Sequence, residues 1–74
     1  MTRTPVNSSS LASVGHDPET NTLEIEFKNG GVYRYAGVSA EDHAALIGSS
    51  SIGAHFHQRI RNGGFVTTKV EADT

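Results

Sequence analysis

A chain of 74 residues with no cysteine can build one small domain, without disulfides, thiol chemistry or thiolate metal sites. A formal net charge of −2 excludes the broadly basic surface that holds nucleic acid through phosphates alone, so any basic patch must be local to Arg3, Lys28, Arg34, Arg59, Arg61 and Lys69. Residues 1–5 contain no apolar run; this argues against a signal peptide or a membrane span and for a cytoplasmic setting.

Residues 1–10 are polar, with Pro5 and a serine run, and read as a flexible N-terminal arm ahead of a domain spanning 11–70. Residues 11–16 suggest a first short strand on Leu11 and Val14, with Gly15 bending its end. Asp17-Pro18-Glu19-Thr20-Asn21 is a turn by composition. Residues 22–28 alternate, with Leu23, Ile25 and Phe27 on one face and Glu24 and Glu26 on the other, the pattern of a half-buried strand. Asn29-Gly30-Gly31 accepts positive φ, and residues 32–36 return as the partner strand of a hairpin.

Two loop lengths fit that hairpin. A two-residue loop, Asn29-Gly30, puts Phe27 opposite Val32 and Ile25 opposite Arg34, and leaves the tyrosines beside Glu24 and Glu26. A three-residue loop puts Phe27 opposite Tyr33, Ile25 opposite Tyr35 and Glu26 opposite Arg34. The second arrangement unites the apolar side chains and pairs opposite charges, and it is preferred; turn chemistry alone favours the first.

Ser39-Ala40-Glu41-Asp42 marks a helix start, with Ser39 as cap and acids at the positive dipole end. That helix is expected to end near Ile47 with Gly48 as its C-cap. Ser49-Ser50-Ser51 offers caps for a second helix, whose buried stripe is Ile52, Phe56 and Ile60 and which Asn62-Gly63-Gly64 stops. Residues 65–70 are β-branched and threonine-rich and read as a C-terminal strand, followed by a polar tail over 71–74. The expected fold is α+β: a small antiparallel sheet built on a central β-hairpin, with two short helices packed on one face. Its expected core is Leu23, Ile25, Phe27, Tyr35, Leu46, Ile47, Ile52, Phe56, Ile60 and Phe65.

Taken in order, Ser8-Ser9-x-Leu11, Gly15-x-Asp17, Leu23-x-Ile25-x-Phe27-x-x-Gly30, Tyr33-x-Tyr35 and Ser51-x-Gly53-x-x-Phe56-x-x-x-Ile60-Arg61 resemble the KTSC domain, over residues 6–65. The family takes its name from the lysyl-tRNA synthetase C-terminus, to which some members are appended; others are short stand-alone bacterial and phage proteins. The chain departs from the family pattern at His16, where Tyr is usual, at Ser39, where Pro is usual, and at Ser49, where Ala is usual. Fusion to a tRNA-charging enzyme implies an RNA-binding role, by association only.

Each candidate side chain has a functional and a structural reading. Tyr33 and Tyr35 can stack bases, or pack on Phe27 and Ile25 as sheet aromatics. Arg34 can contact a phosphate, or pair across the strand with Glu26. Ser49, Ser51 and Gly53 at a helix N-terminus can hold an anion, or simply cap the helix; Arg59, eight residues on and roughly 12 Å away, cannot complete that pocket. Arg59 and Arg61 suit the negative end of the helix dipole, or form a basic corner for a nucleotide.

His55 and His57 point about 200° apart on a helix, and His16 and His43 are distant in sequence, so no metal site is expected. No nucleophile, base and orienting group fall together, so neither enzymatic activity nor a cofactor is expected. Two function classes remain. One is a non-catalytic binding module for RNA or a phosphate-bearing nucleotide. The other is a protein-interaction or self-assembly module, because a domain this small buries only about 60% of its unfolded surface and gains from association as a homo-oligomer.

Overall fold

The computed structural model describes residues 3–70, so the expected 71–74 tail and the first two residues of the arm lie outside the described residues. Five strands, β1 (Arg3–Pro5), β2 (Leu11–Asp17), β3 (Thr22–Phe27), β4 (Val32–Ala36) and β5 (Val66–Val70), form one antiparallel sheet in sequence order. Between β4 and β5 lie α1 (Ala40–Ile47) and α2 (Ile52–His55), and α2 runs directly into a π-helical segment, Phe56–Arg61. The α+β class is as the alternation and capping signals indicate. Among the described residues no helix is long and apolar enough to cross a membrane.

The arm is a correction. Arg3–Pro5 pairs with Ser13, Val14 and Gly15 as an edge strand, and the Val6 amide donates to the Ala12 carbonyl at 3.2 Å. The Ser8 hydroxyl then accepts from the amides of Ser10 and Leu11 at 3.2 and 3.3 Å, turning the chain into β2. The serine run is therefore a structured turn, and the backbone bonds of the strand order a segment whose composition alone looks frayed.

The hairpin loop has three residues, but they are Lys28-Asn29-Gly30. The Phe27 amide donates to the Gly31 carbonyl at 2.8 Å and the Gly30 amide to the Phe27 carbonyl at 2.9 Å. Only Gly30 takes positive φ (96°), so the left-handed position of the loop is used up there and Gly31 continues the strand. The register is thus one residue per strand away from expectation: Leu23 faces Tyr35, Ile25 faces Tyr33, and Glu24 faces Arg34. Because both strands shift together, every side chain keeps its expected face.

The core is Leu11, Val14, Leu23, Ile25, Tyr35, Val38, Leu46, Phe56 and Ile60, with Phe27, Tyr33, Ile52 and Phe65 partly buried against it. Ile47 is a correction: it is 47% exposed, because its neighbour Leu46 takes the inward position on α1 and the two point about 100° apart. Leu11 and Val14 both face inward although they are three residues apart. A register shift between Leu11 and Ser13 absorbs the extra residue, Ala12, as a β-bulge. Ser39 caps α1 as expected, its hydroxyl accepting from the Asp42 amide at 3.1 Å, and Gly48 closes it.

Candidate functional site

A groove of about 640 Å³ opens between the helical layer and the inner face of the sheet. Its apolar wall is aromatic. Phe27 meets Tyr33 edge-on with ring centroids 5.6 Å apart and Phe56 at 5.5 Å, and Tyr35 meets Phe56 at 5.4 Å. Its polar rim carries Lys28 from the hairpin loop, Arg61 and His57 from the π-helical segment, and Thr67 from β5. Tyr33 is half-buried, so its ring both packs on the core and faces the groove, whereas Tyr35 is buried. Burial pushes the Tyr35 phenol above its ordinary pKa; the Arg61 guanidinium opposes that shift and the neighbouring Tyr33 adds to it.

The π winding places Arg61 there. Bonding between residues five apart brings Arg61 round to the side of the segment that carries Phe56, so a cation lines the same groove as a core ring. In an α-helix five residues turn about 500°, which would point Arg61 well away from Phe56. Arg59 is exposed and lies outside the groove lining.

The other sequence candidates sit elsewhere. Arg34 is on the opposite face of the sheet. Its Nε donates to Glu24 Oε1 at 2.8 Å, not to Glu26, and Arg3 approaches the other oxygen of Glu24 at 3.5 Å. These residues form one register row, Arg3, Gly15, Glu24 and Arg34, in which side-chain-free Gly15 lets Arg3 reach across β2. Glu26 instead accepts from the Ser13 hydroxyl at 2.8 Å.

Ser49, Ser51 and Gly53 are grouped near the start of α2, but not as a phosphate cradle. Ser51 makes no side-chain cap, and Ser49 bonds locally to the Ser51 amide and carbonyl at 3.2 and 3.1 Å. A Cβ on Gly53 would lie 3.3 Å from the hydroxyl oxygens of Ser8 and Ser10, so this glycine serves close packing of α2 on the turn before β2. The surrounding hollow is lined by serines, Asn7 and His57 and holds no Lys or Arg.

The fold also joins two residues that look unrelated in sequence. His16 and His43 stack with centroids 5.0 Å apart and planes 10° from parallel. His16 Nε2 donates to the Val38 carbonyl at 2.6 Å, a bond that requires the proton on that nitrogen. Desolvation, and secondarily the charge of His16, lowers the pKa of His43. Among the described residues no three His, Asp or Glu side chains converge as a metal site.

The groove thus gathers Tyr33, Tyr35 and Arg61 from the sequence candidates and adds Phe27, Lys28, His57 and Thr67. One of the additions carries a signal in the sequence: Lys28 adjoins Phe27 at the hairpin loop. Thr67 reaches the groove only through its register opposite Tyr35.

Comparison with known proteins agrees with this architecture. An uncharacterised protein of Stutzerimonas stutzeri strain A1501 is 48% identical over 58 residues, covering 78% of this chain and 82% of its own. The crystal structure of a KTSC domain protein from Yersinia pestis superposes with a TM-score of 0.89 at 37% identity, over 95% of this chain and 97% of that one. Residues 7–65 match the sequence profile of the KTSC domain, and the chain belongs to that family.

Proposed function

We propose that the chain is a non-catalytic module that binds a phosphate-bearing nucleotide, free or as a unit of single-stranded RNA, in the groove beside Tyr33. One observation carries the reading: a half-buried aromatic wall and two cations, Lys28 and Arg61, line a single groove on a chain of net negative charge. Its volume is that of an ordinary small-molecule site. A base stacks on an aromatic face whatever its identity, and a nearby guanidinium or ammonium holds the phosphate. The hairpin of β3 and β4 and the helical layer on one face of the sheet are the framework for this site. The attachment of some members to a tRNA-charging enzyme, which the resemblance implies, fits the same ligand class by association only.

The chain has two tyrosines and no tryptophan, so its intrinsic fluorescence reports on Tyr33 and Tyr35. Titration with adenosine or uridine monophosphate, and with a short single-stranded RNA, is expected to quench that emission in a salt-sensitive way. Replacing Lys28 and Arg61 together by Ala is expected to weaken binding about tenfold or more, since each removes a charge-assisted contact. Arg34→Ala and Arg59→Ala are expected to leave it unchanged. Absence of quenching, or quenching indifferent to salt and to Lys28 and Arg61, refutes the reading.

Self-assembly is a second reading, favoured by β5. That strand pairs with β4 alone among the described residues, and four of its five side chains are exposed.

A further inference from the structure

We propose that β5 pairs antiparallel with β5 of a second copy, joining two sheets across a two-fold axis at Thr68. The inference specifies the surface for the self-assembly reading and rests on it.

The two edges of the sheet are not alike. β1 is three residues long and carries Arg3 and Pro5, and proline has no amide to donate, so that edge is guarded against a further strand. β5 has five residues, Val66-Thr67-Thr68-Lys69-Val70, no proline and one charge. Among the described residues nothing covers the backbone donors and acceptors along its free side, and Val66 is 69% exposed beside it.

The side-chain order of β5 fits a second copy of itself. Register to β4 puts Val66, Thr68 and Val70 on the same face as Ala36, Arg34 and Val32, and Thr67 and Lys69 on the inner face with Tyr35 and Tyr33. A two-fold axis perpendicular to the sheet keeps each face on its own side, so paired residues must share parity. Pairing all five residues places Thr68 against the partner's Thr68. Val66 then meets the partner's Val70 and Val70 the partner's Val66, a valine pair on each side of the axis. Extended through β4, each pair becomes an apolar stripe of Ala36, Val66, the partner's Val70 and the partner's Val32. The positive charge of Arg34 beside Thr68 is already paired with Glu24, so no like charges face each other at the axis.

On the inner face the same register sets Thr67 opposite the partner's Lys69. Thr67 lines the aromatic groove, so the second copy supplies a further cation at its open side. The two grooves become neighbours on one ten-stranded sheet, twice the five strands of one chain, with both helical layers on the same side. Two short strands make a small interface, so the dimer is expected to form in the micromolar range.

Sedimentation velocity of the full chain without nucleotide tests this. Mass is expected to rise from one chain to two between low and high micromolar concentration. Thr68→Lys and Thr68→Glu each set like charges across the axis and are expected to sediment as single chains. An equimolar mixture of the two is expected to restore the dimer. Circular dichroism like that of the wild type shows that the variants are folded. Should either variant misfold, Thr68→Cys decides: in a chain without cysteine it is expected to form a disulfide-linked dimer on mild oxidation, and Thr20→Cys is not. A wild-type chain that stays single up to millimolar concentration overturns both the interface and self-assembly. A dimer that Thr68→Lys leaves intact overturns the interface alone. A dimer that binds no nucleotide refutes the ligand reading and leaves the interface standing.

Discussion

Glu24 shows how a single side chain organises the face of the sheet away from the helices. Its side chain is only 8% exposed, yet it bears a charge, so burial costs energy that Arg34 at 2.8 Å and Arg3 at 3.5 Å must offset. Arg34 is half exposed, which screens its share, and the contribution of the cluster is therefore modest. Glu24→Gln keeps an acceptor for Arg34 but removes the charge between two guanidinium groups. The expected loss is about 1 kcal/mol, read as a lower midpoint in urea, and the wild-type advantage should shrink as salt is added. A variant as stable as wild type at low salt would show that the row is ornamental. The same cluster explains why Arg34 does not reach the groove: strand alternation commits it to the face opposite Tyr33 and Tyr35. Parity made that face legible in the sequence. The partner within the row depended on where Gly30 placed the loop, and parity cannot tell Glu24 from Glu26.

Elements were legible where their period was regular and opaque where it was broken. The alternation of Leu23, Ile25 and Phe27 and the Ser39 cap locate β3 and the start of α1, because each reports a local constraint. Leu11 and Val14 have the wrong spacing for one strand face, and the bulge at Ala12 that reconciles them leaves no clear composition signal. The π segment is hidden for the same reason: Phe56 and Ile60 fit an α stripe, while the winding that brings Arg61 to the groove beside Phe56 appears only in three dimensions. The meeting of α1 with β2 through His43 and His16 was equally hidden, since the two rings stack although they are distant in sequence. This contact carries a pH dependence. A histidine whose pKa falls on folding binds its proton more readily in the unfolded chain, so folding loses stability as pH drops through its ordinary value near 6.5. Thermal midpoints are therefore expected to fall between about pH 7.5 and about pH 5.5. His43→Phe keeps a stacked ring without a titrating group and is expected to flatten part of that decline. An identical pH profile for the variant would show that the pair does not bear on stability.

For the whole molecule, structure and candidate function converge on Phe56. It is fully buried, meets Phe27, Tyr35 and His57 through ring edges, and also lines the groove. A domain of this size has a total stability of only about 5–15 kcal/mol, and removing a well-packed phenylalanine costs about 3–5. Phe56→Ala is thus expected to unfold the chain or lower its thermal midpoint by tens of degrees, taking any ligand binding with it. Tyr33 allows the two roles to be separated. It is half-buried, and an aliphatic residue, though smaller, can keep part of its contact with the core. Tyr33→Leu is expected to cost about 1–2 kcal/mol in urea unfolding while losing the face on which a base would stack, worth about 1–3 kcal/mol of binding. Comparing the two variants distinguishes a groove that is merely the seam between helices and sheet from one that holds a ligand. If Tyr33→Leu binds nucleotide as tightly as the wild type, judged by calorimetry rather than by the altered fluorescence, the ring serves packing alone. If it folds normally and binding falls, the exposed half of Tyr33 is used for recognition, and the thin core beneath it is what keeps that ring in place.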